Sequence, residues 1–334
     1  MSLRQEYERI ERQILSPGAC FSDSSRGRVL PEEPCSVRTV FQRDRDRVIH
    51  SKGFRRLKYK TQVFIIPEGD HFRTRLTHTL EVAQISRTVS RALRLNEDLT
   101  EAIALGHDLG HTPFGHTGEV ALNEVFPPGF KHNEQSLRQV DELEGWRGLN
   151  LSHEVRDGIL NHTGKTDPYT LEGQVVKICD RIAYINHDID DALRAGILRE
   201  EELPGVCLKI LGFSHRERIN NMVTDLIAAS RDRPSITMSH DFKQATSLLR
   251  EFMFKNVYIG SEAKREERKA LHVVKYLYQY LVDNPEAMPV EYVRRIDTMG
   301  GVQRLVCDYI AGMTDRYAIT QFTGLFIPRA FTIE

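Results

Sequence analysis

The sequence predicts an all-α protein carrying one small β-hairpin. Apolar residues recur at helical spacing through most of the 334 positions, and Ser or Asn stands where several of those runs begin. Only Thr61-Gln-Val-Phe-Ile-Ile66 strings β-branched and aromatic residues together, followed by the turn Pro67-Glu-Gly-Asp70 and by His71-Phe-Arg-Thr74.

Taken in order, residues 3–15 form an amphipathic helix with Leu3, Tyr7, Ile10 and Ile14 at helical intervals. Residues 16–36 have no apolar period and read as a loop, and Ser36 is placed to cap a helix over 38–58. The hairpin occupies 61–74. Residues 75–94 then carry Leu76, Leu80, Ala83, Val89 and Leu93 on a helical period, and Asn96 caps a helix running into His107. Further helices are expected near 116–125, 132–143, 152–162 with Ser152 as cap, 171–195, 216–230, 239–256, 265–283, 289–296 and 300–313. Pro204-Gly205 and Arg233-Pro234 are the best breaks, and with a cut at the first the chain divides into an N-terminal helical segment (1–60), a core (61–205) and a helical C-terminal region (206–334).

Composition narrows the function classes. A hydrophobic content of 40% with 28% charged residues is ordinary for a water-soluble globular protein. No apolar run approaches the ~20 residues that span a bilayer, and the first residues lack an apolar signal core, so a cytoplasmic protein without a membrane partner is expected. The five cysteines are scattered and lack CxxC spacing, which argues against a disulfide framework and a thiolate zinc site. Net charge is only −1, but the segment 38–75 is rich in Arg and Lys, and such a basic wall would suit a polyphosphate.

The densest chemistry lies between His107 and Glu119, where His107, Asp108, His111, His116 and Glu119 are crowded among three glycines and Pro113. An adjacent His-Asp pair offers nitrogen and oxygen to one divalent cation, a mixed set that suits Mn, Mg, Fe, Ni or Zn. Two further ligands must come from a distance. His78 shares a helical face with Val82 and Ile85, and Asp180 shares one with Val176 and Tyr184, in a segment where an unpaired carboxylate would be costly. The pattern His78…His107-Asp108…Asp180, with gaps of 29 and 72 residues, is the expected metal site. A water on such an ion is more acidic, and phosphate oxygens on it have their charge neutralised. His116 and Glu119, three apart at a helix start, can orient or deprotonate a water or protonate a leaving oxygen; Glu119 can also serve only as a favourable charge at the helix N-terminus. Asp180, Tyr184 and Asp188 fall on one helical stripe, which fits a pocket wall, although Tyr184 also fits plain core.

These residues carry a family resemblance. The segments Phe41-Gln-Arg-Asp-Arg-Asp-Arg-Val-Ile-His50, Phe54-Arg-Arg-Leu57, Lys60-Thr-Gln-Val-Phe64, Arg75-Leu-Thr-His78, 107–119, His132-Asn-Glu-Gln135, Asp180-Arg-Ile-Ala-Tyr-Ile-Asn-His-Asp188 and Asp308-Tyr-Ile-Ala-Gly-Met-Thr-Asp315 resemble the HD-superfamily deoxyguanosine-triphosphate triphosphohydrolase (dGTPase-like) family. The resemblance implies an HD-domain helical core with a C-terminal region that contributes to a nucleotide pocket. It implies one divalent metal and hydrolysis of deoxynucleoside triphosphates to deoxynucleoside and triphosphate, by water attack on the α-phosphorus. By the same resemblance His111 and His132 sit on the phosphate side, and His116 with Glu119 forms the catalytic pair. Arg75 and Arg181 contact the triphosphate, Gln62 the sugar, Tyr184 the deoxyribose face and Asp188 the 3′-hydroxyl. Asp308, Tyr309 and Asp315 are candidates for the base pocket, whereas His162 and His187 are taken as structural or supporting. Relatives are homo-oligomers, often with regulatory dNTP sites, and some bind single-stranded DNA. Two other readings remain: an HD phosphohydrolase acting on nucleoside monophosphates, cyclic dinucleotides or alarmones, and a nucleotide or single-stranded nucleic-acid binding module.

Overall fold

The computed structural model describes residues 1–62, 72–258 and 264–328, and these are mainly helical, with no sheet among them. The helices are α1 (Leu3–Ile14), α2 (Val40–His50), α3 (Lys52–Arg56), α4 (Arg75–Ala92), α5 (Glu97–Gly106), α6 (Gly115–Val125), α7 (His132–Arg138), α8 (His153–Asn161), α9 (Leu171–Arg194), α10 (Gly205–Leu211), α11 (His215–Ser230), α12 (His240–Met253), α13 (Lys264–Asp283), α14 (Val290–Val293), α15 (Gly301–Ala311) and α16 (Asp315–Phe326). Most of the expected hairpin lies outside the described residues; its outer ends, Thr61 and Thr74, meet as an isolated antiparallel bridge.

Helix starts follow local chemistry where a cap exists. Asn96 accepts from the Leu99 amide, and Thr170 accepts from the Gly173 amide. The expected helix over 38–58 starts later and breaks. Thr39, with Gln42 accepting its amide, replaces Ser36 as the cap. Ser51 then interrupts the helix by capping Phe54, while the Glu144 carboxylate accepts from the Lys52 and Gly53 amides. That carboxylate is distant in sequence and no local pattern announces it. Helices α10 and α16 were not expected; α16 begins at Thr314, whose hydroxyl accepts from the Tyr317 amide.

Two apolar clusters build the core. One joins α2, α4, α5, α8, α9 and the helices from α10 to α12, with Val82, Leu99, Ile103, Ile159, Ile182 and Leu226 among its buried members. The other joins α6 to α13, α15 and α16 through Phe114, Leu122, Val274, Leu277, Val306 and Ile310. The segment 107–114 runs between these clusters, so its polar side chains sit where both halves meet.

Helix α1 is turned inside out. Its apolar row, Leu3, Tyr7, Ile10 and Ile14, faces solvent at 41–55% exposure, while Glu8 is buried. Polar contacts hold the helix instead: Arg4 donates to Cys35 O, and Glu11 accepts from the Ser22 amide and hydroxyl. Among the described residues no helix is long and apolar enough to cross a membrane.

Gly110 permits a close backbone approach beside the metal turn. A Cβ there would lie 2.1 Å from the Ser136 amide nitrogen and 2.4 Å from the Gln135 carbonyl carbon, both backbone atoms that cannot swing aside. Gly110→Ala must therefore part the 107–111 turn from α7, and the overpacking should cost about 1–3 kcal/mol. The expected result is a lowered Tm in calorimetry; a wild-type Tm would show that the turn and α7 are not pressed together in this way.

Candidate active site

The site grows from the ends of α4, α5 and α7 and the middle of α9. His78 lies one turn into α4, 2% exposed, on the face shared with Val82 and Ile85. Packing of α4 on α9 brings Asp180 to it, with His78 Nε2 3.0 Å from Asp180 Oδ1. His107 terminates α5. Its Nδ1 lies 2.6 Å from the carbonyl of Ala104, which fixes that nitrogen as a donor and makes Nε2 the nitrogen that a neutral ring offers to an ion. That Nε2 is 3.5 Å from Asp108 Oδ1 and 3.6 Å from Asp180 Oδ1.

Hence all four expected ligands converge. His78, His107 and Asp108 offer three ligand atoms within 4.8 Å of one another, and Asp180 closes the set through His78 and His107. Burial alone would lower the His107 pKa, yet the two carboxylates outweigh it and push it up to about 9. Burial would likewise raise Asp180, but the imidazoles of His107 and His78 hold it well below the usual carboxylate range. The pocket thus attracts positive charge. Four buried polar atoms around it, Arg75 Nε, His78 Nδ1, His107 Nε2 and His111 Nδ1, make no hydrogen bond. Buried polar groups are normally satisfied, so such a concentration marks a place built for a ligand. The donor set and the bare His107 Nε2 both fit a divalent cation.

A second group abuts the first and shares Asp108. His111 Nε2 lies 3.2 Å from Asp108 Oδ1, and the His111 ring stacks on His132 with centroids 4.1 Å apart. Asp108, His111 and His132 again place three ligand-type atoms within 4.8 Å. Glu119 accepts from both the backbone and Nδ1 of His132, each at 2.9 Å. His116, by contrast, is 77% exposed, with Nδ1 3.8 Å from Glu119. Glu119 therefore bonds firmly to His132 and only loosely to His116, a pairing that helical spacing could not reveal because α6 and α7 are joined by a turn. The other face of His132 meets His162, with the two Nε2 atoms 3.2 Å apart, and His162 also packs its ring on His107. His162 thus supports both groups. Burial, followed by the charges of His107 and His132, pushes its pKa down to about 3. His187 supports the other side, 3.1 Å from Glu81, with its ring near His78.

The remaining expected site residues are spread around this centre. Arg75 is 5% exposed and donates to Asp108 Oδ2 at 2.8 Å, so it orients a metal-ligand carboxylate. Gln62 stands at the edge of the described segment next to Gly115. On α9, Tyr184 packs partly against the larger core, Asp188 is buried, and Arg181 is exposed. The basic wall over 38–75 needs correction. Arg43 and Arg47 pair with Glu32, Arg45 with Asp98 and Glu101, and Arg73 with Glu81, Asp190 and Asp191. Lys60 is buried rather than presented to a ligand. The neutralising acids come from distant segments, so a local charge count overstated the positive field.

The base-pocket candidates of the C-terminal region are also committed elsewhere. Asp308 accepts from Gln135, Arg138 and Arg304, which anchors α7. Asp315 accepts from the Thr61 and Phe114 amides at 3.0 and 2.9 Å. Phe114 is the residue before α6 and adopts φ +61°, a left-handed conformation that costs a bulky residue about 1–2 kcal/mol. Neither carboxylate is free to meet a base.

A helical core with His78, His107, Asp108 and Asp180 around one cation-attracting pocket defines an HD-superfamily phosphohydrolase. The HD domain family matches residues 75–185, and the phosphohydrolase-associated domain matches 236–323. Proteins named deoxyguanosinetriphosphate triphosphohydrolase-like protein are similar over nearly the whole chain. The one from Caldanaerobacter subterraneus subsp. tengcongensis is 59% identical over 98% of this chain and 97% of its own. Another, from Clostridium perfringens, is 50% identical over 98% and 99%. The chain belongs to this dGTPase-like family. A crystal structure of a phosphohydrolase from Bacteroides thetaiotaomicron shares the fold, with a TM-score of 0.51 at 18% identity over 84% of this chain and 67% of that one. HD domains bind divalent metals, and the protein is accordingly a metal-dependent hydrolase of the phosphohydrolase class.

Metal dependence has a direct readout. Chelation should lower Tm, and Mn at about a hundred times its Kd should restore roughly 2.7 kcal/mol. His107→Ala should abolish that metal-dependent shift and the metal content found by elemental analysis; an unchanged shift would remove His107 from the ligand set.

Proposed function

We propose that this protein hydrolyses deoxynucleoside triphosphates to deoxynucleoside and intact triphosphate, with water attacking the α-phosphorus. The observation that carries the reading is the sharing of Asp108 between a cation pocket and the His111–His132–Glu119 row, which sets a proton-transfer group against a Lewis-acid position. Membership of the dGTPase-like family supports the substrate class.

His78, His107, Asp108 and Asp180 would hold the divalent ion, whose native identity we leave among Mn, Mg, Fe, Ni and Zn. When bound, the ion neutralises charge on phosphate oxygens. The protein's own groups do the rest. Glu119 holds Nδ1 of His132 and so orients a ring that can hand a proton to the leaving oxygen. His116, exposed on α6 at the mouth of the site, is free to meet the attacking water or a phosphate, with Glu119 at its inner side. His111, stacked on His132, offers a donor to a bridging oxygen. Arg75 and Arg181 steer the triphosphate, Arg75 also holding Asp108 in place. Gln62 and Asp188 bind the sugar, and Tyr184 covers the 2′ position, where an uncompensated ribose hydroxyl would lose its hydrogen bonds.

Assembly into a homo-oligomer and activation by a dNTP effector belong to the same proposal. The solvent-facing apolar row of α1 is a surface that a second copy would cover. Single-stranded DNA as a partner loses its main support, because the arginines of 38–75 are largely paired within the chain.

Chromatography of products from each dNTP and NTP with Mn or Mg tests the reaction. Wild type should release deoxynucleoside and triphosphate from dNTPs alone, Glu119→Gln should lower kcat by about 10²-fold or more, and Tyr184→Ala should narrow the preference for dNTP over NTP. Orthophosphate, pyrophosphate or a linear dinucleotide as product would transfer the protein to another HD reaction.

A further inference from the structure

The C-terminal region reaches the active site through one carboxylate that no substrate role explains. Asp315 opens α16 and is 3% exposed. Its Oδ1 accepts from the Phe114 amide at 2.9 Å; its Oδ2 accepts from the Thr61 amide at 3.0 Å and from the Thr61 hydroxyl. Beside it, the fully buried Lys60 ammonium donates to the His111 carbonyl and, at 2.8 Å, to the Ala311 carbonyl at the end of α15. Arg56 adds a bond at 2.9 Å to Gly312 O in the same turn. The 311–315 turn is therefore clamped at once to residues 56–61 and to both ends of the segment His111–Phe114.

What this clamp holds is a strained piece of chain. Phe114 and Gly115 take φ +61° and +56° in succession, and α6, with His116 and Glu119, starts at Gly115. Gly115 can adopt that conformation freely, but Phe114 cannot. The Phe114 ring is buried in the second apolar cluster, and its amide is held by Asp315. Together these two contacts fix a bend that Phe114 would otherwise relax. Relaxation would rotate the first turn of α6 and draw Glu119 off His132. The metal ligands lie beyond the close approach at Gly110 and would stay in place.

We infer that Asp315 is a positioning residue: by accepting the Phe114 amide it holds the left-handed bend that aims Glu119 and His116 at the reacting phosphate. It thereby makes the C-terminal helices part of the active site without touching substrate. This rests on the reading of Glu119 as the group that orients His132, and one arm of the test is independent of that reading.

The test compares Asp315→Ala and Asp315→Asn with wild type, each loaded with Mn. Hydrogen exchange by mass spectrometry should show faster exchange, by about tenfold or more, in peptides covering 112–119 of Asp315→Ala, with peptides covering 97–108 unchanged. Metal content should match wild type. With dGTP, kcat should fall by about tenfold to a hundredfold while KM stays within about threefold, because a small misplacement acts on the reacting geometry rather than on ground-state binding. Asp315→Asn retains one carbonyl acceptor for the Phe114 amide but turns its NH2 toward the Thr61 amide, and should recover part of both losses. Wild-type exchange over 112–119 in Asp315→Ala overturns the inference. So does an Asparagine variant no better than the Alanine one, or a kcat loss matched by loss of metal. If wild type does not cleave dGTP, the substrate assignment fails by itself, and the exchange arm still decides the role of Asp315.

Discussion

Two carboxylates and two imidazoles pressed into one dry pocket form the constraint on which this structure depends. Asp108 is 3% exposed, and His78 and His107 2% and 0%. An ionised carboxylate taken out of water costs several kcal/mol unless charge or hydrogen bonds meet it. Here the compensation is mutual and incomplete: the carboxylates raise His107, the imidazoles lower Asp180, and His107 Nε2 still makes no hydrogen bond. A divalent cation would settle that account, with His78, His107, Asp108 and Asp180 as the residues that would hold it. The apolar packing of α4, α5 and α9 is the scaffold that makes such crowding tolerable.

The pocket has to be held together by groups that are not ligands, and these form a consistent pattern. Ser136 accepts from the Gly110 amide and donates to the His107 carbonyl, which ties α7 to the metal turn. Arg75 takes the outer oxygen of Asp108, so the inner one faces His107 and His111. Asp308 fixes Gln135 and Arg138 on α7, and Asp315 fixes the entrance of α6. In each case a buried side chain satisfies the backbone or the polar surface of a neighbouring segment. Each is therefore expensive to remove, because its partner would be left buried and unsatisfied.

The sequence revealed the parts of this arrangement that rest on periodicity and local chemistry. His78 and Asp180 were legible because a His and an Asp stood at apolar helical positions where burial would need an explanation, and the structure places both beside His107. The helix over 171–195 was legible from its apolar period. What escaped notice depends on contacts distant in sequence. The break at Ser51 needs Glu144, and the neutralisation of Arg43 and Arg45 needs Glu32, Asp98 and Glu101. The pairing of Glu119 with His132 needs the turn between α6 and α7. His162 was read as structural or supporting; a lone histidine at a helix end gives no sign that its Nε2 will meet that of His132. The outward apolar row of α1 is the reverse case: periodicity found the stripe, but only the polar anchors at Arg4 and Glu11 decide which side faces the protein.

The geometry also bears on how acid and base work is divided. A histidine held on both sides is a poor mobile base: His132 is held by Glu119 on Nδ1, and the hydrogen it has to give up lies on Nε2, against His162. His162 gives its own Nδ1 to the Ile159 carbonyl, so its Nε2 can only accept, and the hydrogen between the two rings must come from His132. Glu119, held well below the usual carboxylate range by His116 and His132 despite its burial, takes the Nδ1 side of the His132 ring. An exposed His116 is under no such restraint. In the proposed reaction this exposed ring is the one that would exchange protons with bulk water. The fixed and the free histidine are thus complementary, and Glu119 touches both. The residue most sensitive to where α6 begins is therefore Glu119, which is why the backbone bend at Phe114 matters more to this site than its distance from the metal ligands would suggest.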